Sequence, residues 1–137
     1  MVKDLSEVPD PVFAEKMMGD GYALDLANGE IYAPMDGKLV SVFPTGHAFG
    51  IKNSDIEVLL HIGIDTVALE GKGFDVKVKQ DQKVKKGDLL AIVDLEYIKS
   101  QNKETISPMI FTSGEEIEVL KVGQEVDKDS TDIFKFK

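Results

Sequence analysis

The chain has 137 residues, 42% of them hydrophobic and 30% charged, enough apolar matter for one globular core and too much for a disordered chain. A net charge of -9 argues against a nucleic-acid binder, because phosphate backbones select basic surfaces, and it favours a basic protein as partner. With no cysteine, disulfides and thiolate metal sites are excluded.

The opening MVKDLSEVPD carries no apolar stretch of the kind a secretion signal needs. In DPVFAEKMMGDG (10–21), Asp10 can N-cap a short helix, Pro11 suits its first position, and Gly19 can close it. The turn PMDG then leads into a strand over Lys38–Phe43. Ala48–Lys52 reads as a second strand, ended by the turn NSD, and Ile56–Ile64 as a third. Phe74–Lys79 alternates apolar and polar residues, as a strand buried on one face does. Leu89–Leu95, Met109–Thr112, Ile117–Leu120 and Ile133–Phe136 complete the set, and LEYIKSQN after Asp94 predicts a second short helix. The longest uncharged apolar run, Leu89–Val93, is far short of a membrane span. Gly37–Val42 faintly echoes Gly87–Ile92, a similarity that ordinary strand grammar explains. Strands at this spacing predict an all-β sandwich or barrel with one or two short helices.

The only two histidines are His47 and His61. Along Ile56–Ile64 the side chains alternate faces. Ile56, Val58, Leu60 and Ile62 form a uniformly apolar face, the expected core side. Glu57, Leu59, His61 and Gly63 share the other, so His61 is expected on an outer face with open space beside it at Gly63. Thr45 lies two residues before His47, where its hydroxyl can bond the ring, and Gly46 is expected to loosen that histidine. Asp65 and Thr66 can make polar contacts at the end of the His61 strand. A lone histidine on a strand is most often a satisfied or surface residue. A zinc site would need ligands beyond the two rings, and Asp65 or Asp20 would have to serve in a spacing that matches no zinc motif.

Four stretches carry a resemblance: VPDPVFAEKMMGDG (8–21), APMDGKLVSVFPTGHAFGI (33–51), LLHIGIDTVALEGKGF (59–74) and VKKGDLLAIVDL (84–95). Together they resemble the glucose-type enzyme IIA domain of the bacterial phosphoenolpyruvate-dependent sugar phosphotransferase system, from about Leu5 to the closing IFKFK. The resemblance implies a single domain over 1–137, an antiparallel β-sandwich of the duplicated hybrid motif type. It implies that the phosphocarrier protein HPr phosphorylates His61 on Nε2, that His47 stabilises the phosphoryl group, and that Thr45 orients His47. The group then passes to a cysteine on the IIB domain of a sugar permease. By the same resemblance Asp10 and Asp65 face basic residues of HPr, while Phe13, Met17, Met18, Phe43, Leu59 and Val67 ring the site with apolar surface. The implied protein is a cytoplasmic phosphotransferase component with a phosphohistidine intermediate; the sequence leaves its oligomeric state unconstrained, with a monomer as the default expectation. It is not membrane-embedded, binds no nucleic acid and requires no cofactor.

Against the family's pattern, roughly one strand upstream of VPD is expected to be missing, and KNSD stands where relatives often have glycine. The alternative reading is a regulatory protein that binds enzymes or transporters according to its phosphorylation state, with His47 and His61 as ligands of a transient intermolecular zinc. A biotinyl or lipoyl domain is disfavoured, since no modifiable lysine sits in a suitable hairpin. A zinc endopeptidase is disfavoured because it needs more than two histidines.

Overall fold

Turn residues recur so often that the longest strand holds six residues. The computed structural model describes residues 1–127 and 129–137. Its elements in chain order are β1 (Val2–Asp4), α1 (Pro11–Ala14), β2 (Gly21–Leu24), β3 (Glu30–Tyr32), β4 (Gly37–Val42), β5 (Ala48–Lys52) and β6 (Glu57–His61). They continue with β7 (Phe74–Val76), β8 (Lys83–Val84), β9 (Leu89–Val93), α2 (Leu95–Ser100), β10 (Ser107–Phe111), β11 (Ile117–Val119) and β12 (Phe134–Phe136). Single 3-10 turns lie at Leu5–Glu7 and Thr66–Leu69.

Every pairing of these strands is antiparallel. A seven-stranded sheet runs β1-β2-β10-β6-β5-β4-β8, a three-stranded sheet runs β3-β9-β7, and β11 pairs with β12. Leu39, Phe49, Ile51, Val58, Leu60, Met109 and Phe111 of the large sheet meet Ile31, Ala91 and Val93 of the smaller one in the main core. This is the antiparallel sandwich that the resemblance implies, and one of the two architectures that the strand spacing predicts. No helix among the described residues is long and apolar enough to cross a membrane.

A second, smaller core covers the other face of the large sheet. Leu5, Val8, Phe13, Ala23, Ile64 and Ile110 build it, with Leu59 and Ile106 packed against it. This explains why β10 is buried at all five positions instead of alternating. It also corrects the expectation of an open outer face around β6: Leu59 lies under the α1 segment rather than at a solvated surface.

β5 has the predicted boundaries, and the other strands expected from the pattern are present with ends shifted by a few residues. β1, β2, β3 and β8 were not expected; each has at most four residues, too few for alternation to register. Both helices form where their caps predict. Asp10 accepts the Val12 N–H at 2.9 Å and Asp94 accepts the Tyr97 N–H at 3.0 Å. However, α1 ends at Ala14, and Lys16 turns the chain with φ of 59°. Gly19 therefore does not close the helix. A Cβ there would lie 2.6 Å from the Phe111 carbonyl oxygen, so glycine is required where the chain passes over β10.

Candidate functional site

The site begins with a turn. The Asn53 side-chain oxygen accepts the N–H groups of Asp55 and Ile56, and the Asn53 N–H bonds to the Ile56 carbonyl at 3.0 Å. This Asx-type turn joins β5 to β6 and sets their register, from Lys52 opposite Glu57 to Ala48 opposite His61. A slip of one residue would turn every β6 side chain to the wrong face. The register brings His61, at the end of β6, beside the start of β5, and the Ile62 N–H bonds to the His47 carbonyl at 2.6 Å.

His47 precedes β5 in a bend, so strand alternation does not dictate its direction. The bend is built from the Gly46 N–H to the Phe43 carbonyl at 2.7 Å and the Phe43 N–H to the Ala48 carbonyl at 3.1 Å. Gly46 has φ of 71°, and a Cβ there would come within 2.7 Å of Val76. The expectation that Gly46 loosens His47 is thus reversed. Glycine lets the chain pack tightly against β7, and His47 is only 4% exposed.

The two imidazole rings lie 5.1 Å apart between centroids, nearly edge to face at 74°. Phe13 stacks obliquely on His61 at 5.1 Å, and Phe43 meets His47 edge-on at 5.3 Å. The Thr45 hydroxyl lies 2.5 Å from His47 Nδ1. His61 Nδ1 donates to the Gly63 carbonyl at 2.7 Å, because a carbonyl oxygen can only accept. Neutral His61 therefore carries its proton on Nδ1 and a free lone pair on Nε2.

Burial, reinforced by the neighbouring His61, lowers the His47 pKa from 6.5 to about 4. Burial also lowers the pKa of His61, opposed by its bond to Gly63 and by the charges of Asp10 and Asp65. Both rings are therefore neutral at pH 7.

Of the residues predicted to ring the site, Met17, Met18, Phe43 and Val67 are exposed, Met17 most of all at 70%. Phe13 is buried, so it forms the floor beneath His61 instead of a docking surface. Asp10 and Asp65 are close enough to His61 to act on its charge. Asp20 is committed elsewhere. Its carboxylate accepts the Gly21 and Ile117 N–H groups and pairs with Lys16 at 3.2 Å. Desolvation opposes these partners, which nevertheless hold its pKa below the usual value. Open space at Gly63 is not found either, since a Cβ would lie 2.6 Å from both the Glu104 carbonyl oxygen and Thr66 Cγ2.

Among the described residues no three metal-ligating side chains cluster, so a metal held by both rings would need further ligands from another molecule. The sequence reading missed buried Ser107, which bonds the Gly63 N–H at 3.0 Å. Nothing in a single sequence marks a serine in an apolar strand as a partner of a loop 44 residues away.

A family model described as phosphoenolpyruvate-dependent sugar phosphotransferase system, EIIA 1, matches residues 1–117. The PTS system glucose-specific EIIA component of Bacillus cereus is 46% identical over 137 residues, covering 98% of this chain and 83% of that protein. The PTS system glucose-specific EIICBA component of Streptococcus pneumoniae is 52% identical over 119 residues, 86% of this chain. The match spans only 16% of that larger protein. Among solved structures, the glucose permease IIA from Mycoplasma capricolum is similar with a TM-score of 0.79 and 49% identity, covering 81% of this chain and 73% of its own.

Proposed function

The chain belongs to the phosphoenolpyruvate-dependent sugar phosphotransferase system EIIA 1 family, whose members are phosphocarriers, and from that premise we propose the path of the phosphoryl group. His61 Nε2 attacks the phosphorus of phospho-HPr, a new N–P bond forms, and the bond to HPr breaks. The phosphohistidine keeps its Nδ1 proton on the Gly63 carbonyl, so no proton has to leave the ring. The group then moves to a cysteine thiolate on the IIB domain of a sugar permease, as the N–P bond breaks and an S–P bond forms. Such a relay runs on the cytoplasmic side of the membrane.

The observation that carries this reading is the hydrogen bond from His61 Nδ1 to Gly63, which leaves Nε2 as the nucleophile. His47 plays the complementary part. With the Thr45 hydroxyl donating to Nδ1, its proton sits on Nε2 and can donate to the phosphoryl oxygens. A group bearing about -1.5 to -2 charges needs such a donor on an acidic protein. Phosphoryl transfer asks mostly for positioning and charge stabilisation, which two fixed neutral rings supply.

Intact-mass measurement after incubation with phosphoenolpyruvate, enzyme I and HPr tests the reading. The wild type is expected to gain one phosphoryl mass and His61→Ala none. His47→Gln is expected to accept the group and fail to pass it to IIB. An unlabelled wild type would end the proposal.

Exposed Met17, Met18, Phe43 and Val67 favour a second role on the same surface. Methionine and phenylalanine suit a face that serves several partners, and phosphate placed at its centre would repel those that dock on the neutral form. A zinc ion bridging the two histidines to a partner's carboxylate fits the same reading. Comparing proteins captured by the phosphorylated and unphosphorylated forms tests it; identical sets would count against switching.

A further inference from the structure

β10 should continue alongside β6 past the phosphoryl-accepting residue, but their ladder stops at Met109 opposite Leu60. The next residue of β10 is Pro108, which has no N–H to extend it. Beyond that point the central peptide of the loop Ile62–Ile64 is held by side chains. The Ser107 hydroxyl accepts the Gly63 N–H at 3.0 Å and donates to the Thr105 carbonyl at 3.0 Å. The Thr66 hydroxyl donates to the Ile62 carbonyl at 2.5 Å. Both hydroxyl residues are fully buried.

These two bonds grip one peptide group, the Ile62–Gly63 unit, from opposite ends. The units on either side of it touch the histidines. The Ile62 N–H holds the His47 carbonyl at 2.6 Å. The Gly63 carbonyl receives the His61 Nδ1 proton at 2.7 Å, while the Ile64 N–H of that same unit donates to the Glu104 carbonyl at 3.0 Å.

Gly63, with φ of 71°, and Asp65, with φ of 60°, fold the chain back so that Thr66 reaches Ile62. No side chain fits at Gly63. Three consecutive peptide units thus have fixed partners in a buried, low-dielectric setting, where such networks polarise and stiffen one another.

We propose that Thr66 and Ser107 are positioning residues of the phosphoryl-accepting site: they clamp the Ile62–Gly63 peptide so that the Gly63 carbonyl holds His61 in its Nδ1–H tautomer beside His47. Neither residue touches the phosphoryl group. An unconstrained neutral imidazole exchanges its proton between the two nitrogens, and only the form protonated on Nδ1 presents a lone pair at Nε2. The consequence for phosphoryl transfer rests on the relay described above. The consequence for the tautomer does not.

The test uses Thr66→Val, which keeps the shape and removes the hydroxyl, Thr66→Ser, which keeps the hydroxyl, and Ser107→Ala. Nitrogen-15 NMR of the imidazoles reads the tautomer, and rapid-quench labelling with phospho-HPr reads acceptance. Thr66→Val and Ser107→Ala are expected to give a mixture of His61 tautomers and to accept phosphate about tenfold more slowly or worse. Thr66→Ser is expected to restore both. Folded Thr66→Val and Ser107→Ala proteins in which His61 stays wholly Nδ1-protonated would overturn the proposal. A wild type that takes no phosphate would sink the relay but leave the tautomer comparison to judge the clamp. If the variants do not fold, amide exchange in the wild type decides. A Gly63 N–H as slow as the β5–β6 ladder supports the clamp, and one exchanging at loop rates overturns it.

Discussion

Two chemically identical side chains face different groups at Nδ1, a carbonyl for His61 and a hydroxyl for His47. Keeping both rings neutral has a consequence for stability. The His47 pKa falls from 6.5 to about 4 on folding, so the unfolded chain binds the extra proton between those values. The stability this contributes is complete above pH 6.5 and is lost as pH falls toward 4. The full loss amounts to about 3 kcal/mol. His61 acts in the same direction. The carboxylates of Asp4 and Asp20, held below 3.8, begin to lose their contribution only under that value. Acid unfolding should therefore start in the histidine window, before these carboxylates titrate. Denaturant melts across pH 4 to 7 are expected to show wild-type stability rising with pH, and His47→Gln a much flatter profile. Equal slopes for the two proteins would contradict the burial argument.

The α1 element shows how one cap can serve both fold and site. Its Asp10 carboxylate accepts the Val12 N–H, and its charge raises the His61 pKa against the effect of burial. Two substitutions separate these roles. Asp10→Asn keeps a capping oxygen and removes the charge, whereas Asp10→Ala removes both. Both are expected to move the His61 titration to lower pH. Only Asp10→Ala should also cost about 1 kcal/mol in thermal or denaturant melts. A His61 titration unchanged in both would mean that Asp10 is too well screened to act.

Elements such as α1, α2 and β5 were legible because their signals are local: a cap, a proline, a turn. The His61 face of β6 was legible from alternation. The second core behind Leu59, the seat of Gly46 and the Ser107 bond were not, since each depends on a segment distant in the chain. Recognition of the motif named His47 and His61, but it did not reveal that Phe13 is floor rather than rim.

At the scale of the whole molecule, the proposed docking separates into contributions from the net charge of -9 and from the exposed apolar residues. Charge acts at long range, steering a basic carrier and raising its rate of encounter, and salt screens it. Apolar surface acts only on contact and governs how long the complex lasts. Stopped-flow association with HPr at increasing ionic strength should therefore show an association rate that falls by about tenfold or more while dissociation changes little. Asp65→Asn should slow association at low salt and converge with the wild type at high salt, because Asp65 is exposed and only its charge is removed. Val67→Ala, two residues on, should leave the association rate nearly unchanged and speed dissociation, since it removes exposed apolar surface without altering the field. An association rate indifferent to salt would mean that the acidic surface plays no part in finding the carrier. The excess of negative charge would then serve only solubility, and docking would rest on contact with Met17, Met18, Phe43 and Val67 after unsteered encounter.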